Sequence, residues 1–398
     1  MSGRPIVIMP GDGIGNVVLP EAIRVLDAVG FQSEYYSAPV GWEYWCREGN
    51  PLPHRTIDLL KKYRVGLFGS ITSKPKEKAD TELAPELQGK GFVYYSPIVR
   101  MRQLFNLDIS IRPCKAFPGN PLNFIRRNTG GVVEEPPVDV VIFRQNTEGL
   151  YCGVEWTDPP VNVRSALETH PKMAVFKNVP GRDLAVSTRI FTRNSCHRIC
   201  RAAFEYARKH GYPAVTICEK PNVIRETSGM MGEEARKVAE QFQDIQLQFT
   251  NIDAQMMWLT KNPEDYHVIV AGNMFGDIIS DGFAGLVGGL GFACSANIGE
   301  DIAVFEPTHG SAPRYALLDP PIVNPIAMIL AACMMLEHLN ETQKAARIRS
   351  AVAEVIRNGR VQTYDMKKLK GGQQVIERGA ASTQTMTNAI IEKLQEQC

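Results

Sequence analysis

Apolar residues along this chain switch repeatedly between two spacings, and the switches mark out its elements. Ile6-Val7-Ile8-Met9 is a short continuous apolar run that stops at Pro10-Gly11-Asp12-Gly13, and a helical spacing then runs over 14–29. This reads as strand, tight turn, helix. A helical pattern over 57–63 leads into Val65-Gly66-Leu67-Phe68, one over 189–210 into Ala214-Val215-Thr216-Ile217, and one over 226–242 into Leu247-Gln248-Phe249. His267-Val268-Ile269-Val270 feeds a helix starting near Gly276, and 324–339, 342–357 and 382–395 read as helix. Helix and strand alternating over most of the length predict an α/β architecture with a largely parallel sheet. Two stretches break the pattern. The first, 117–138, is rich in Pro, Gly and Asn and reads as a connection between lobes; the second, 158–183, contains Pro159-Pro160, Pro171 and Pro180-Gly181. An irregular run of the second kind is usually an arm, a lid or an interface element.

Composition adds bounds rather than a function. A chain of 398 residues exceeds what one core usually holds, so two lobes are expected. Lys and Arg number 44 against 43 Asp and Glu, a formal charge of +1, which offers no bulk attraction for nucleic acid or an anionic membrane. Any anionic ligand must therefore be held by a local cluster of cations. The apolar run after Met1-Ser2-Gly3-Arg4-Pro5 is too short for a signal peptide, and the stretch 326–336 is far short of the ~20 residues of a membrane helix. Nine cysteines, scattered from Cys46 to Cys398 without a C-x-x-C, read as reduced thiols in a cytoplasmic protein.

Candidate chemistry sits at the ends of the predicted strands. Gly11-Asp12-Gly13-Ile14-Gly15-Asn16 fails the G-x-G-x-x-G dinucleotide pattern because position 16 is Asn. Asp277 and Asp281, four apart near a helix start, put two carboxylates on one face, as hard ligands for Mg²⁺ or Mn²⁺ or as ordinary helix-start acids. Arg102 belongs to an apparent helix, Arg112 ends Ile109-Ser110-Ile111 and Arg144 ends Val140-Val141-Ile142-Phe143. Guanidinium groups fork onto carboxylates, so three together suit a di- or tricarboxylate, although any one alone reads as a surface ion pair. Lys220 follows an apolar strand with Asn222 beyond it, and 306–313 is a Gly/Pro-punctuated polar loop able to wrap a nucleotide.

Taken in order, these segments resemble the isocitrate and isopropylmalate dehydrogenase family, the metal-dependent β-decarboxylating dehydrogenases. The glycine-aspartate-glycine start, RQNTEGLYCGVEW, EKPN, NMFGDIISD, GGLGFACSANIG, FEPTHGSAP and Asn324-Pro325 carry the resemblance along nearly the whole chain. It implies a two-lobed α/β/α sandwich, not a classical Rossmann fold. The larger lobe would comprise 1–107 and 288–398, and the smaller 108–287, with a clasp-like arm near 151–185. It implies Tyr151 as general acid and Lys220 in proton transfer. Ser96, Arg100, Arg102, Arg112, Arg144 and Asn222 would face substrate, and Asp253, Asp277 and Asp281 would hold Mg²⁺ or Mn²⁺. In the family the lysine and the first of these aspartates come from the partner subunit, so a homodimer with shared sites is expected. Thr72, His309, Gly310, Ser311, Ala312, Arg314, Tyr315, Asn324, Tyr364 and Lys368 would contact the nicotinamide cofactor. A non-catalytic regulatory subunit is the rival reading, but no catalytic position is missing.

Departures from the family pattern bear on substrate and cofactor. Where isocitrate enzymes carry S-x-N-x-x-x-R, this chain keeps Ser96 and Arg102 but has Ile98 for the Asn and an additional cation, Arg100. Gln145 stands where relatives have Glu, removing one negative charge beside the site. Isocitrate is the first choice of substrate, with homoisocitrate or phosphonomethylmalate as alternatives. NAD-using members carry an acidic residue after the H-G-S-A-P loop, whereas Arg314-Tyr315, with Tyr364 and Lys368, resembles the NADP-dependent bacterial isocitrate enzymes. A 2′-phosphate needs cations, so NADP is the expected cofactor. Arg314→Asp should lower the ratio of kcat/KM for NADP⁺ over NAD⁺ by about tenfold or more, and an unchanged ratio would refute the assignment.

Overall fold

A computed structural model describes residues 3–397, so Met1, Ser2 and Cys398 lie outside the described residues. Ten strands form one continuous sheet, in the order Gln246–Asn251, Ala214–Glu219, Val268–Ala271, Asp139–Gln145, Ile109–Lys115, Cys294–Ile298, Ala303–Pro307, Val65–Ser70, Arg4–Gly11 and Ser33–Ser37. Pairing is parallel in both halves. It turns antiparallel at three successive pairs in the middle, from Asp139–Gln145 through to Ala303–Pro307. The two halves therefore run in opposite directions, and the sheet is mixed rather than uniformly parallel. One half comes from 139–271 and the other mainly from the two ends of the chain.

Each strand's alternation decides which helices it meets, because successive side chains point to opposite faces. Val141 and Phe143 pack with the helix Arg193–His210, while Val140 and Ile142 pack beneath the helix Asn273–Leu286. Ile6 and Ile8 join the helices Gly15–Ala28 and Ile326–His338, and Val7 and Met9 face Leu60 and Met101 on the opposite side. Helices thus cover both faces of each half, which makes an α/β/α sandwich. The helix Ile326–His338 is apolar almost all round because strands lie on one side of it and the helices Thr342–Asn358 and Gly15–Ala28 on the others. Among the described residues no helix is long and apolar enough to cross a membrane. The eight described cysteines are all free, and six are buried.

Several element boundaries differ from the spacing-based expectation. The helix expected from 189 begins at Arg193, because Thr192 caps it by accepting from the Ser195 N–H and Arg189 is engaged elsewhere. The helix expected near Gly276 begins at Asn273. Arg112 lies inside the strand Ile109–Lys115 and not at its end, since pairing with Asp139–Gln145 continues past it. The stretch 158–183 is less irregular than its prolines suggest: Pro160 introduces the helix Val161–Glu168, and Glu155–Thr157 pairs antiparallel with Ala185–Ser187. The connection 117–138 holds a small hairpin, Arg126–Arg127 against Val133–Glu134. Ile329→Ala, at a fully buried position of the central helix, should cost about 2–5 kcal/mol of stability in a urea titration, and a loss below 1 would contradict this packing.

Candidate active site

The antiparallel middle of the sheet brings the predicted arginines together. Arg144 pairs with Ser110 across the ladder and Arg112 with Ile142, so the two guanidinium groups are diagonal neighbours on the face beneath the helix Asn273–Leu286. That helix supplies their counter-charges. Arg112 Nη1 donates to Asp277 Oδ1 at 3.1 Å and to Ser280 Oγ at 2.8 Å, and Arg144 Nη1 donates to the same Asp277 oxygen. Arg144 Nε and Nη2 fork onto Asn273 Oδ1 at 2.9 and 2.8 Å. Burial, with the Arg112 charge beside it, pulls the Arg144 guanidinium down to about 9, and Asp277 opposes the shift.

Arg102 enters from the helix Pro97–Leu104. Its Nε donates to Asn297 Oδ1 at 3.1 Å and its Nη2 to Glu306 Oε1 at 2.9 Å. Asn297 Nδ2 donates back to Glu306 at 2.8 Å, and Asn146 Nδ2 donates to Asn297 Oδ1 at 2.8 Å, so the support of Arg102 is itself braced. The three arginines, Tyr151 and Asp277 line one cavity of about 280 Å³. Tyr151 sits in the turn Leu150–Cys152 with its ring 5.7 Å from the Arg144 guanidinium carbon, and is half exposed toward solvent.

Not every predicted residue joins this cavity. Arg100 is exposed, and Ser96 and Asn222 are absent from the lining. Gln145 is turned away from the site. It follows Arg144, so strand alternation sends it to the opposite face, where it donates to Ser195 Oγ at 2.8 Å and accepts from the Thr147 and Glu148 N–H groups. Its neutrality therefore says nothing about the charge of the cavity. Lys220 and Asp253 also stand apart, bonded to each other at 2.6 Å, and the lysine holds the Asp253 carboxyl below its usual range.

Asp277 and Asp281 lie one turn apart on the helix Asn273–Leu286, with Arg112 within 3.7 Å of Asp281. Partial burial pushes the Asp281 carboxyl up, Arg112 opposing it and the Asp277 charge adding to it. The hydrogen bonds to Asp277 fall on Oδ1, leaving Oδ2 and the Asp281 carboxylate as hard donors for a divalent cation. No group of three His, Cys, Asp or Glu residues able to hold a metal occurs among the described residues.

A second cavity of about 180 Å³ shares Arg102 and Arg112 with the first and is closed by Ile98 and the loop carrying His309 and Gly310. A third, of about 440 Å³, shares His309 and Gly310 with the second and extends past Ala312, Tyr315, Asn324 and Tyr364. The loop is held close by glycine. A Cβ at Gly13, whose φ is +54°, would lie 2.1 Å from the Ser311 carbonyl oxygen, and Ile14 N–H donates to that oxygen at 2.8 Å. Thr72 Oγ1 lies 2.7 Å from Ser311 Oγ, and Thr72 N–H donates to the buried Asp12 at 2.8 Å. Burial pushes the His309 imidazole below its usual range, and its Nε2 is buried without a hydrogen-bond partner. Arg314 stacks on Tyr315, with its guanidinium carbon 4.9 Å from the ring centre, and Tyr315 lies 5.7 Å from Tyr364. Lys368 is exposed beyond Tyr364 in the same segment. An aromatic wall and an unpartnered imidazole nitrogen fit a nicotinamide dinucleotide.

Some of these side chains gave little signal in the sequence. Asn297 and Glu306 stood out only as polar residues in otherwise buried strands, Asn273 only as the residue heading NMFGD, and Asp365, which accepts from Asn324 Nδ2 at 3.0 Å, not at all.

The sequence profile of the Isocitrate/isopropylmalate dehydrogenase family matches residues 5–390. The 3-isopropylmalate dehydrogenase of Methanothermobacter thermautotrophicus is 37% identical over 361 residues, 91% of this chain and 93% of that protein. Protein DlpA of Legionella pneumophila is 36% identical over 97% of this chain, which spans 58% of that longer protein's length. The crystal structure of isocitrate dehydrogenase from Methylococcus capsulatus superposes with a TM-score of 0.79 at 35% identity, covering 98% of this chain and 99% of that one. The fold is that of the decarboxylating hydroxyacid dehydrogenases. The chain belongs to the isocitrate/isopropylmalate dehydrogenase family.

Asn273→Ala removes both bonds from the Arg144 fork. It should raise KM for the acid substrate about tenfold and lower stability by about 1–3 kcal/mol. An unchanged KM would place Arg144 outside the binding site.

Proposed function

We propose that this chain is an NADP-dependent, metal-requiring cytoplasmic enzyme that oxidises a malate-type 2-hydroxy polycarboxylate and removes its β-carboxylate as CO₂. Isocitrate is the preferred acid and 2-oxoglutarate the product. The observation that carries this reading is the convergence of Arg102, Arg112 and Arg144 on one cavity. The lining sets three guanidinium groups against a single carboxylate, Asp277, and a divalent cation at the aspartates would add positive charge, which suits a polyanion.

The residues divide the work. The arginines fork onto the substrate carboxylates and fix its orientation. Lys220 takes the proton of the substrate hydroxyl as the carbinol hydrogen leaves as hydride. Loss of CO₂ from the resulting β-keto acid leaves an enolate, and Tyr151 returns a proton to its carbon. Asp277 and Asp281 would hold a divalent cation supplying Lewis-acid charge, and the cleft past Tyr315 and Tyr364 would hold the nicotinamide cofactor that accepts the hydride. Because Lys220 and Asp253 are bonded to each other away from the arginine cavity, we assign them to the site of a second copy, in a homodimer clasped by the arm near 151–185. In this assignment 1–107 and 288–398 form the larger lobe, 108–287 the smaller, and substrate lies between them.

A second reading rests on Arg100. Its guanidinium makes no hydrogen bond or ion pair among the described residues, and it lies two positions from Arg102 on the same helix. A longer or more anionic third group, as in homoisocitrate or phosphonomethylmalate, would give it a partner. Initial rates with NADP⁺ and Mn²⁺ on isocitrate, homoisocitrate, isopropylmalate and phosphonomethylmalate separate these readings. Isocitrate should lead in kcat/KM by about two orders of magnitude, and no turnover of any acid would favour a regulatory subunit. Lys220→Met and Tyr151→Phe should each lower kcat at least about 10²-fold, and near-normal turnover in either would refute its role.

A further inference from the structure

A buried ion pair lies between the two halves of the chemistry that one chain carries. Glu219, the last residue of the strand Ala214–Glu219 and the residue before Lys220, is 2% exposed. Its carboxylate accepts four hydrogen bonds from three donor atoms. Oε1 accepts from Arg189 Nη2 and from the Gly272 N–H, both at 2.9 Å; Oε2 accepts from Arg189 Nη2 at 2.7 Å and from Ser228 Oγ at 2.8 Å. Ser228 Oγ also accepts from the Lys220 N–H at 3.3 Å, and Arg189 Nη1 donates to Thr227 Oγ1 at 2.8 Å. The guanidinium lies between two rings, its central carbon 4.5 Å from the centre of Phe191 and 5.0 Å from that of Phe275.

The groups gathered here belong to different parts of the machinery. Gly272 immediately precedes the helix that carries Asn273, Asp277 and Asp281, and a Cβ there would lie 2.7 Å from Glu219 Oε1 and from Phe191. Phe191 also lies against Gly149, whose N–H donates to the Ile190 carbonyl at 2.8 Å, two residues before Tyr151. Lys220 and Asp253 stand on the other side. A buried carboxylate and guanidinium give little net stability over apolar residues of the same volume, so a saturated pair at this junction acts chiefly by fixing geometry.

We propose that Glu219 and Arg189 are a positioning pair, setting Lys220 against the helix that bears Asn273 and Asp277. The inference rests on the proposed role of Lys220. Since Lys220 serves one site and Asp277 another, the pair also holds the two sites of a dimer in a fixed relation.

The test uses the full-length protein and two readouts. Glu219→Gln should lower kcat about tenfold or more with KM for the acid changed less than threefold, because the arginine cavity is untouched. Trace acetylation with acetic anhydride, followed by peptide mass, should show Lys220 labelled several-fold faster in the variant and Lys61 unchanged. Arg189→Met/Glu219→Leu removes both charges together; it should restore the melting temperature lost in Glu219→Gln while kcat stays low. Recovery of kcat along with stability in the double variant, or Lys220 labelling at the wild-type rate in Glu219→Gln, would overturn the proposal. If the wild type turns over no acid yet Glu219→Gln still changes Lys220 labelling, the positioning pair stands and the functional reading falls.

Discussion

Arg112 and Arg144 carry like charges side by side in the interior, and the rest of the site is arranged around that cost. Two guanidinium groups can be buried together only if counter-charge and acceptors are built in. Asp277 lies against both, Asn273 takes the fork of Arg144 and Ser280 accepts from Arg112. All three acceptors sit on one helix face, at spacings of four and three residues, so the start of that helix at Asn273 is a condition of the site. Arg102 meets the same requirement through Glu306 and Asn297 on the neighbouring strands. The antiparallel middle of the sheet is what brings these strands together.

A chain of formal charge +1 thus conceals strong local charge. The cavity of the arginines and Tyr151 adjoins a second across Arg102 and Arg112, and that one adjoins, across His309 and Gly310, the cleft walled by Tyr315 and Tyr364. That adjacency suits the proposed hydride transfer between an anionic substrate and a dinucleotide. Arg314, stacked on Tyr315, and Lys368 are exposed, and the proposed preference for NADP rests on them.

Much of this was legible because charged residues at the margins of apolar strands are few, and Arg112, Arg144 and Lys220 are conspicuous there. The α/β alternation was legible for the same reason, since strands buried on both faces read as unbroken apolar runs. Orientation was harder to read. Gln145 adjoins Arg144 in sequence but faces Ser195 across the sheet, and only the pleat separates them. Arg100 was drawn toward the substrate by its nearness to Arg102, yet a helix turns about 100° per residue and leaves it outside the cavity. Arg189 fitted a helical spacing, but its side chain is committed to Glu219 and the helix starts later. Long-range partners such as Glu306 and Asn297 depend on strand order, which no local pattern encodes.

The division within one chain is the central claim. Lys220 and Asp253 stand together at one place, while Tyr151, the arginines and Asp277 stand at another. In the proposed reading catalysis requires two copies, each lending its lysine to the other. Subunit complementation measures this directly. Lys220→Met and Tyr151→Phe proteins, each nearly inactive, are unfolded together, refolded as a mixture and assayed. Shared sites give each mixed dimer one intact site, so activity should return to about a quarter of the wild-type level. Activity no greater than the mean of the two variants would show that each chain works with its own lysine, and would contradict the division.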